Sequence, residues 1–438
     1  MLRFAPSPTG FLHVGNARVA LLNFIFARKN NKKFLLRIDD TDSERSKKKF
    51  VEAIKEDLNW LGIKFDDCFS QSQRIKEYDI IVKKLKSEKK IYPCFETPNE
   101  LEIKRRIQLK TGKPPIYDRE ALKLTEKEIV NLQKLGKKPH WRLFLDDNPI
   151  EWMDLIHDTI KFENLSISDP IVIRSDNTPL FTLTSVIDDA YYGITHVLRG
   201  DDHITNTAAQ IKLFQYIDAK IPTFGHFPLL KSSSGGEMSK RFNSFSLREI
   251  KKKEISPDVL TTILSRLGTN LPMDSNLSLK ELIKEFNIKS YAKNVIKFSF
   301  EEVKKLNAKY LKSNDYQEIK HKVDFDFSKE FWLAIRDNID NLEDIKIWFE
   351  IVYKNKLFKN EKKIDDKVIR AAIKCLPVQI DTSSWYGWTK KISLMTNVKG
   401  KKLYLSLRLK LTGMEKGPEM NLLLPLLQRE KIFQRLNS

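Results

Sequence analysis

The residues best suited to chemistry fall in two loops. The first belongs to "FAPSPTGFLHVGNAR", residues 4 to 18. Pro6 and Pro8 stiffen the backbone, Gly10 and Gly15 let it approach a ligand closely, and a helix opening near Gly15 or Asn16 aims N–H groups and a positive dipole end at the same place. That combination is a phosphate cradle, and His13 stands in the turn, where an imidazole can donate to a phosphate oxygen. A lone histidine more often packs or faces water, so this reading depends on what surrounds it. Neither the Walker spacing nor the G-x-G-x-x-G dinucleotide fingerprint is present. The second loop, "KSSSGGEMSKRF" at 231 to 242, carries Lys240 and Arg241 on a Gly/Ser-rich segment. Two adjacent cations there suit the charge that develops on transferring phosphates.

Ordinary elements position these loops. "LRFAP" reads as a short strand, "ARVALLNFIFARKN" as a helix with Val19, Leu22 and Phe26 on one face, and "KKFLLRID" as a second buried strand, which together make a βαβ unit. "SKKKFVEAIKEDLNWLG" is a helix ended by Gly62. From Pro93 to Glu163 the text turns to polar helices and Lys-rich turns, an insertion between two halves of a sheet. The sheet pattern resumes at "DPIVIRSDNTPLFTLTSVIDDA" and continues through strand-like "ITHVLRG", helix-like "HITNTAAQIKLFQYI" and strand-like "FGHFPLL". This is doubly wound α/β logic. After "SSSGGEMSKRFNSFSL" the sequence reads as helical to Ser438.

A chain of 438 residues exceeds one ordinary core, so several domains are expected. Its 78 basic and 58 acidic side chains leave a net charge of +20, spread in short clusters rather than in one tail. Such a surface suits a large folded polyanion, with nucleic acid the first candidate. The three cysteines, Cys68, Cys94 and Cys375, are too far apart for a C-x-x-C pair, which argues against a disulfide framework or a cysteine-based zinc site. No apolar run approaches a membrane span, so a cytoplasmic protein is expected.

"HVGN" at 13 to 16 and "MSKR" at 238 to 241 resemble the HIGH and KMSKS signatures of class I aminoacyl-tRNA synthetases. The wider text, including "LRIDDTD", "WLGI", "QSQR", "VIDDAYYGITHVLRGDDHITNTAAQ" and the terminal "LTGMEKGPEMNLLLPLLQREKIFQRL", is similar to glutamyl-tRNA synthetases of the bacterial type nearly end to end. The resemblance implies a split Rossmann catalytic domain, a doubly wound parallel sheet with an inserted domain, followed by an all-α anticodon-binding region. Its implied segments are 1–92 with the HVGN motif, an acceptor-binding insertion at 93–165, the second Rossmann half at 166–245 with the MSKR loop, a helical stem-contact region at 246–310, and a helical anticodon-binding domain at 311–438.

The resemblance also implies roles. His13 and Lys240 would be the catalytic pair; Gly15, Asn16, Asp202, His203, Met238, Ser239 and Arg241 would join them around ATP. Arg3, Ala5, Ser7, Asp39, Phe181, Ser185 and Arg199 would bind glutamate, and Asp42 and Arg45 would meet the tRNA 3′ end. Three positions depart from the family pattern: Asp39 stands for glutamate, Phe181 for tyrosine, and Glu237 for the first lysine of KMSKS. Arg37, Asp40 and Asp188 are read as structural ion-pair residues. The implied substrates are L-glutamate, ATP with Mg²⁺, and tRNA(Glu), with tRNA(Gln) a second candidate; a monomer is expected. Some family members hold zinc in the insertion through cysteines and a histidine, and since only Cys94 remains here, no zinc is expected. Rival readings are a glutaminyl enzyme, a short paralogue that modifies a tRNA base, a paralogue that misacylates tRNA(Gln), and a non-catalytic RNA-binding relative.

Overall fold

The computed structural model describes residues 1–163, 166–232, 246–273, 277–358, 362 and 364–438. It contains two compact units, Met1–Lys251 with Leu260–Ser299, and Lys252–Val259 with Phe300–Ser438.

In the first unit, β1 (Leu2–Phe4), α1 (Val14–Lys29) and β2 (Phe34–Ile38) form the βαβ unit, with Leu2 beside Phe34 in a parallel pair. After α2 (Lys48–Trp60), Gly62 turns the chain at φ +72°, as its place behind the last apolar residue implies. β3 (Asp67–Ser70) then completes the parallel order β1-β2-β3. The single apolar face expected for α1 understates its burial. Arg18, Asn23, Phe24 and Ala27 are buried along with Leu22 and Phe26, so the helix is enclosed on most of its circumference.

The insertion departs from the polar-helix expectation. After α3 (Ile75–Ser87) come β4 (Ile91–Cys94), α4 (Pro98–Lys110), α5 (Glu126–Lys134) and β5 (His140–Leu143), then β6 (Ile150–Asp154), β7 (Asp158–Phe162) and β8 (Ile171–Ile173). β4, β5 and β8 form an antiparallel sheet, whereas β6 and β7 make a hairpin on the edge of the second parallel sheet. Ile150, Trp152 and Asp154 face inward while Glu151 and Met153 face out, the period-two alternation of a strand half-buried on a sheet.

α6 (Phe181–Tyr191), β9 (His196–Gly200), α7 (Ile204–Tyr216) and β10 (Thr223–Phe227) complete the second half, with strand order β7-β6-β10-β9. The halves meet where β1 lies beside β9, through a bond from Thr195 N–H to Met1 O of 2.9 Å. The reading of a wholly helical chain after residue 245 is corrected at β12 (Ile296–Phe298), which pairs in parallel with β11 (Leu230–Ser232). β-Branched Val295 and Ile296 and the aromatic Phe298 suit an edge that β11 leaves open.

The second unit is helical among its described residues. Trp332, Trp348 and Trp388 anchor its core with Ile345, Ile351, Leu407 and Leu423. The indole N–H groups of Trp332 and Trp388 donate to Asn314 O and Ala372 O, so these large rings are buried without an orphaned donor. Among the described residues, no helix is long and apolar enough to cross a membrane.

Asp188 on α6 shows how the first unit is held together. Its carboxylate, 1% exposed, accepts from Gln71 Nε2 and Arg74 Nε at 2.8 Å and from the Tyr78 hydroxyl at 2.9 Å. Asp188→Ala would leave a buried guanidinium and phenol unpaired, and is expected to cost about 3–5 kcal/mol. A urea midpoint for the first unit that matches the unsubstituted protein's would contradict this.

Candidate active site

His13 is the N-cap of α1. Its Nδ1 accepts from the N–H groups of Gly15 at 3.1 Å and Asn16 at 3.4 Å, so that nitrogen carries no proton and the neutral ring keeps its own on Nε2. Burial lowers the pKa of the ring and favours this neutral form. The N–H groups of Gly15 and Asn16, expected to face a ligand, are therefore engaged by His13 Nδ1. Gly15 is required by the same fold-back, because a Cβ there would lie 2.9 Å from the imidazole Cε1. The backbone of His13 forms a bridge with Ser246, where the described chain resumes after residues 233–245. Met238, Ser239, Lys240 and Arg241, together with Glu237, lie outside the described residues.

The ends of β1 and β2 and the inner face of α6 share a buried ionic network. Arg37, 1% exposed, grips Asp39 through Nε–Oδ1 at 2.7 Å and Nη2–Oδ2 at 3.2 Å, and reaches Asp189 Oδ1 at 2.8 Å and the Ser185 hydroxyl at 2.9 Å. Arg3 Nε bonds both oxygens of Asp189 at 3.1 and 3.2 Å. Neighbouring on α6, Asp188 and Asp189 point about 100° apart, so one serves Arg74 and the other Arg3 and Arg37. Three guanidinium groups thus face three carboxylates. Asp39 is committed to Arg37, and burial pushes its carboxyl up to about 6 despite that partner. The structural ion-pair reading holds for Arg37 and Asp188. Asp40 instead accepts from the Ser72 backbone N–H and hydroxyl, at 2.8 and 2.7 Å.

Arg199 on β9 differs from these arginines. It is 5% exposed, and Nη2 donates to Thr207 Oγ1 at 2.6 Å and Gln210 Oε1 at 2.7 Å. Its Nε lies 3.4 Å from His226 Nε2, and its Nη1 is buried with no hydrogen-bond partner. Among the described residues it bonds no carboxylate. Burial, followed by repulsion from Arg3, lowers its pKa to about 9. A buried cation with an unpartnered donor and only neutral partners is a receptor for an anion.

The remaining predicted residues surround this group. Ala5 and exposed Ser7 flank Pro6, whose carbonyl accepts from Asp39 N–H at 3.0 Å. The Phe181 ring, at the start of α6, lies 5.5 Å from that of His203. His203 follows Asp202 in the turn after β9, and its pKa falls to about 4 through burial and then the nearby Arg199. Asp42 pairs with Arg45 at 2.9 Å and lies 3.6 Å from Arg174. α1 ties the cap to the strand that bears Arg199, its Asn23 Nδ2 donating to Leu198 O at 2.9 Å.

The fold also gathers a group that cysteine counting missed. Cys94 and His140 are register partners across β4 and β5, and Glu96 follows two residues after Cys94. Their ligand atoms all lie within 4.8 Å of one another. The Tyr117 hydroxyl donates to Glu96 Oε1 at 2.6 Å and sits 3.7 Å from Cys94 Sγ. Glu96 Oε2 and His140 Nε2 are buried without a hydrogen-bond partner, and such orphaned atoms fit a cation. Burial pushes the Cys94 thiol up to about 12, so a metal there would displace its proton. The expectation of no zinc rested on the cysteine count alone, and three residues of ligand type do converge in the insertion.

Reasoning from sequence missed Asp189, Asp154, His226, Thr207 and Gln210. One signal was available: adjacent acids in "VIDDA" and a histidine inside the apolar "FGHF" are polar groups that a buried helix and strand must satisfy.

Residues 1–306 match the family model of class I tRNA synthetases (E and Q), catalytic domain, and residues 300–438 match an anticodon-binding domain. Glutamate–tRNA ligase 1 of Rickettsia prowazekii is 45% identical over 442 residues, covering 100% of this chain and 98% of that protein. Glutamate–tRNA ligase 2 of Orientia tsutsugamushi (strain Boryong) is 45% identical over 441 residues, covering 99% and 98%. A glutamate tRNA ligase crystal structure from Elizabethkingia meningosepticum shares the fold at a TM-score of 0.80 and 24% identity, covering 100% of this chain and 98% of that one.

The cap on α1 separates stability from chemistry at His13. Its lowered pKa means that the cap contributes fully above the ordinary value of 6.5 and is lost as pH falls through the folded value. His13→Ala is expected to cost about 1 kcal/mol, and His13→Asn, whose side-chain oxygen is a good cap, to restore most of it and to remove the pH dependence. Melting curves between pH 5 and 8 read both effects; equal loss in the two variants would exclude the capping role.

Proposed function

This chain belongs to the class I aminoacyl-tRNA synthetases for glutamate and glutamine and is a glutamate–tRNA ligase, and we propose that it forms glutamyl-adenylate from glutamate and ATP and then charges tRNA(Glu). Arg199 carries the choice of amino acid. A side-chain carboxylate supplies both the acceptor that Nη1 lacks and the charge that its neutral partners do not balance. A glutamine amide supplies the acceptor and leaves the buried charge unmet.

The chemistry runs in two displacements. An oxygen of the α-carboxylate attacks the α-phosphorus of ATP, forming glutamyl-adenylate as the bond to the bridging oxygen breaks and pyrophosphate leaves. A hydroxyl of the terminal ribose of tRNA then attacks the acyl carbon, and AMP departs. No protein nucleophile is needed, so the residues position groups and neutralise charge. In this reading Arg3 and Arg199 orient glutamate, with Ser7 on the rim and Phe181 and Ser185 lining the α6 side. Asp39 meets the ammonium with a charge it shares with Arg37. His13, Asp202 and His203 border the nucleotide, and Lys240 and Arg241 stabilise the phosphates. Mg²⁺ enters with ATP. Asp42 and Arg45 face the tRNA 3′ end, the +20 charge supplies attraction to the tRNA backbone, and bound tRNA precedes glutamate activation. Where the insertion carries zinc, Cys94, Glu96 and His140 hold it, as a structural ion outside these steps.

A second reading comes from the numbered names of the relatives, ligase 1 in one organism and ligase 2 in another, which fit paralogues that divide tRNA substrates. Charging of purified tRNA(Glu) and tRNA(Gln) side by side decides between the two. Glutamate on tRNA(Glu) is the expected result, and charging of tRNA(Gln) alone would establish a misacylating paralogue. Lys240→Ala is expected to slow glutamate-dependent ATP–pyrophosphate exchange in the presence of tRNA by about 100-fold with tRNA affinity unchanged; unaltered exchange would remove Lys240 from the mechanism.

A further inference from the structure

The hydrogen bonds behind Arg199 form a chain across three neighbouring strands. Arg199 on β9 and His226 on β10 are register partners, and Phe224, two residues before His226 on the same face, is the partner of Asp154 on β6. His226 is fully buried. Its Nδ1 lies 2.6 Å from Asp154 Oδ2, and its Nε2 lies 2.8 Å from Thr207 Oγ1 and 3.4 Å from Arg199 Nε. Asp154 is an acceptor: burial pushes its pKa up, but the bond from His226 and two backbone N–H groups hold it below the ordinary value. The proton of a neutral His226 therefore sits on Nδ1, and Nε2 must accept. As an acceptor Nε2 receives from the Arg199 Nε–H, which can only donate, and it faces the Thr207 hydroxyl, which can bond either His226 or His203 O. The neutral ring suits its surroundings, with burial and the cation of Arg199 opposing a second proton.

We propose that Asp154 and His226 are positioning residues for glutamate recognition: Asp154 fixes the His226 tautomer, and His226 Nε2 holds the Arg199 guanidinium with Nη1 turned to the substrate carboxylate. This rests on the assignment of Arg199 to glutamate made above. The arrangement also reaches β6, next to the edge strand β7, so that a hairpin from the insertion sets the orientation of a side chain in the amino-acid site.

Asp154 Oδ1 accepts backbone N–H bonds from Ile156 at 2.9 Å, His157 at 3.1 Å and His226 at 3.2 Å. Those three donors predetermine the orientation of an amide at this position. In Asp154→Asn the oxygen stays with the backbone, so the new NH₂ group faces His226 Nδ1. The ring must then move its proton to Nε2, which can donate to the Thr207 hydroxyl but no longer accepts from Arg199. His226→Gln provides an acceptor toward Arg199 that no tautomer controls, whereas His226→Leu provides none.

The experiment compares the full-length protein and these variants in tRNA charging with Mg-ATP and glutamate. Asp154→Asn and His226→Leu are expected to raise KM for glutamate about 10- to 100-fold, with KM for ATP and tRNA unchanged. His226→Gln is expected to stay within about 3-fold of the wild type, and the double variant Asp154→Asn/His226→Gln to bind glutamate better than Asp154→Asn alone. Two-bond ¹H–¹⁵N spectra of labelled histidine, assigned by loss of the signal in His226→Gln, should show Nδ1–H in the wild type and Nε2–H in Asp154→Asn. An Nε2–H tautomer in the wild type, or a double variant no better than Asp154→Asn, would overturn the proposal. If the wild type charges no glutamate, it is the functional reading that fails, and the spectra still decide the hydrogen-bond chain. If Asp154→Asn does not fold, the contrast between His226→Gln and His226→Leu makes the same decision.

Discussion

Charge balance in a dry place is the constraint on which the catalytic unit depends. Arg3, Arg37 and Arg74 are buried against Asp39, Asp188 and Asp189, and each cation finds a carboxylate within hydrogen-bonding distance. Removing one member leaves an opposite charge in low dielectric, which costs more than the intact pair contributes. The network spans β1, β2, the turn before α3 and the inner face of α6, so it fixes the two halves of the unit to each other. Against that neutral background Arg199 has no carboxylate partner among the described residues, and its Nη1 is a buried donor without an acceptor.

The Pro/Gly loop is fixed in another way: His13 ends it and caps α1 through Nδ1, accepting from the Gly15 and Asn16 N–H groups. This is possible because Gly15 has no Cβ, and because burial holds the ring neutral. α1 is buried on most sides, and its Asn23 bonds β9, so the cap is set on a rigid element that also touches the strand bearing Arg199.

Much of the fold was legible in local text. The βαβ opening, the glycine stop behind α2, the strand at "ITHVLRG" and the helix after it all show hydrophobic periods that one segment sets for itself. The insertion was not, because β4, β5 and β8 are short and their partners lie about thirty to fifty residues apart, and an antiparallel pair is specified by the partner as much as by the strand. β12 escaped for the same reason, being three residues paired with β11 across the chain. The site divides similarly. Arg3, Ser185, Arg199 and His13 stand in motifs that name them as candidates, whereas Asp189, Asp154 and His226 do not, since their contacts are set by the fold.

Composition and short motifs by themselves pointed to several domains, a phosphate-handling loop and a charge that attracts a polyanion, and the resemblance carried by the longer motifs implied the synthetase chemistry and architecture. None of these needs a contact partner to be defined. The tertiary structure alone decided which buried cations are balanced by carboxylates and which is not. It set the partners on both ring nitrogens of His226, and it brought Cys94, Glu96 and His140 together. Those properties are distances of a few ångströms between segments tens to hundreds of residues apart, and only the packed fold closes them.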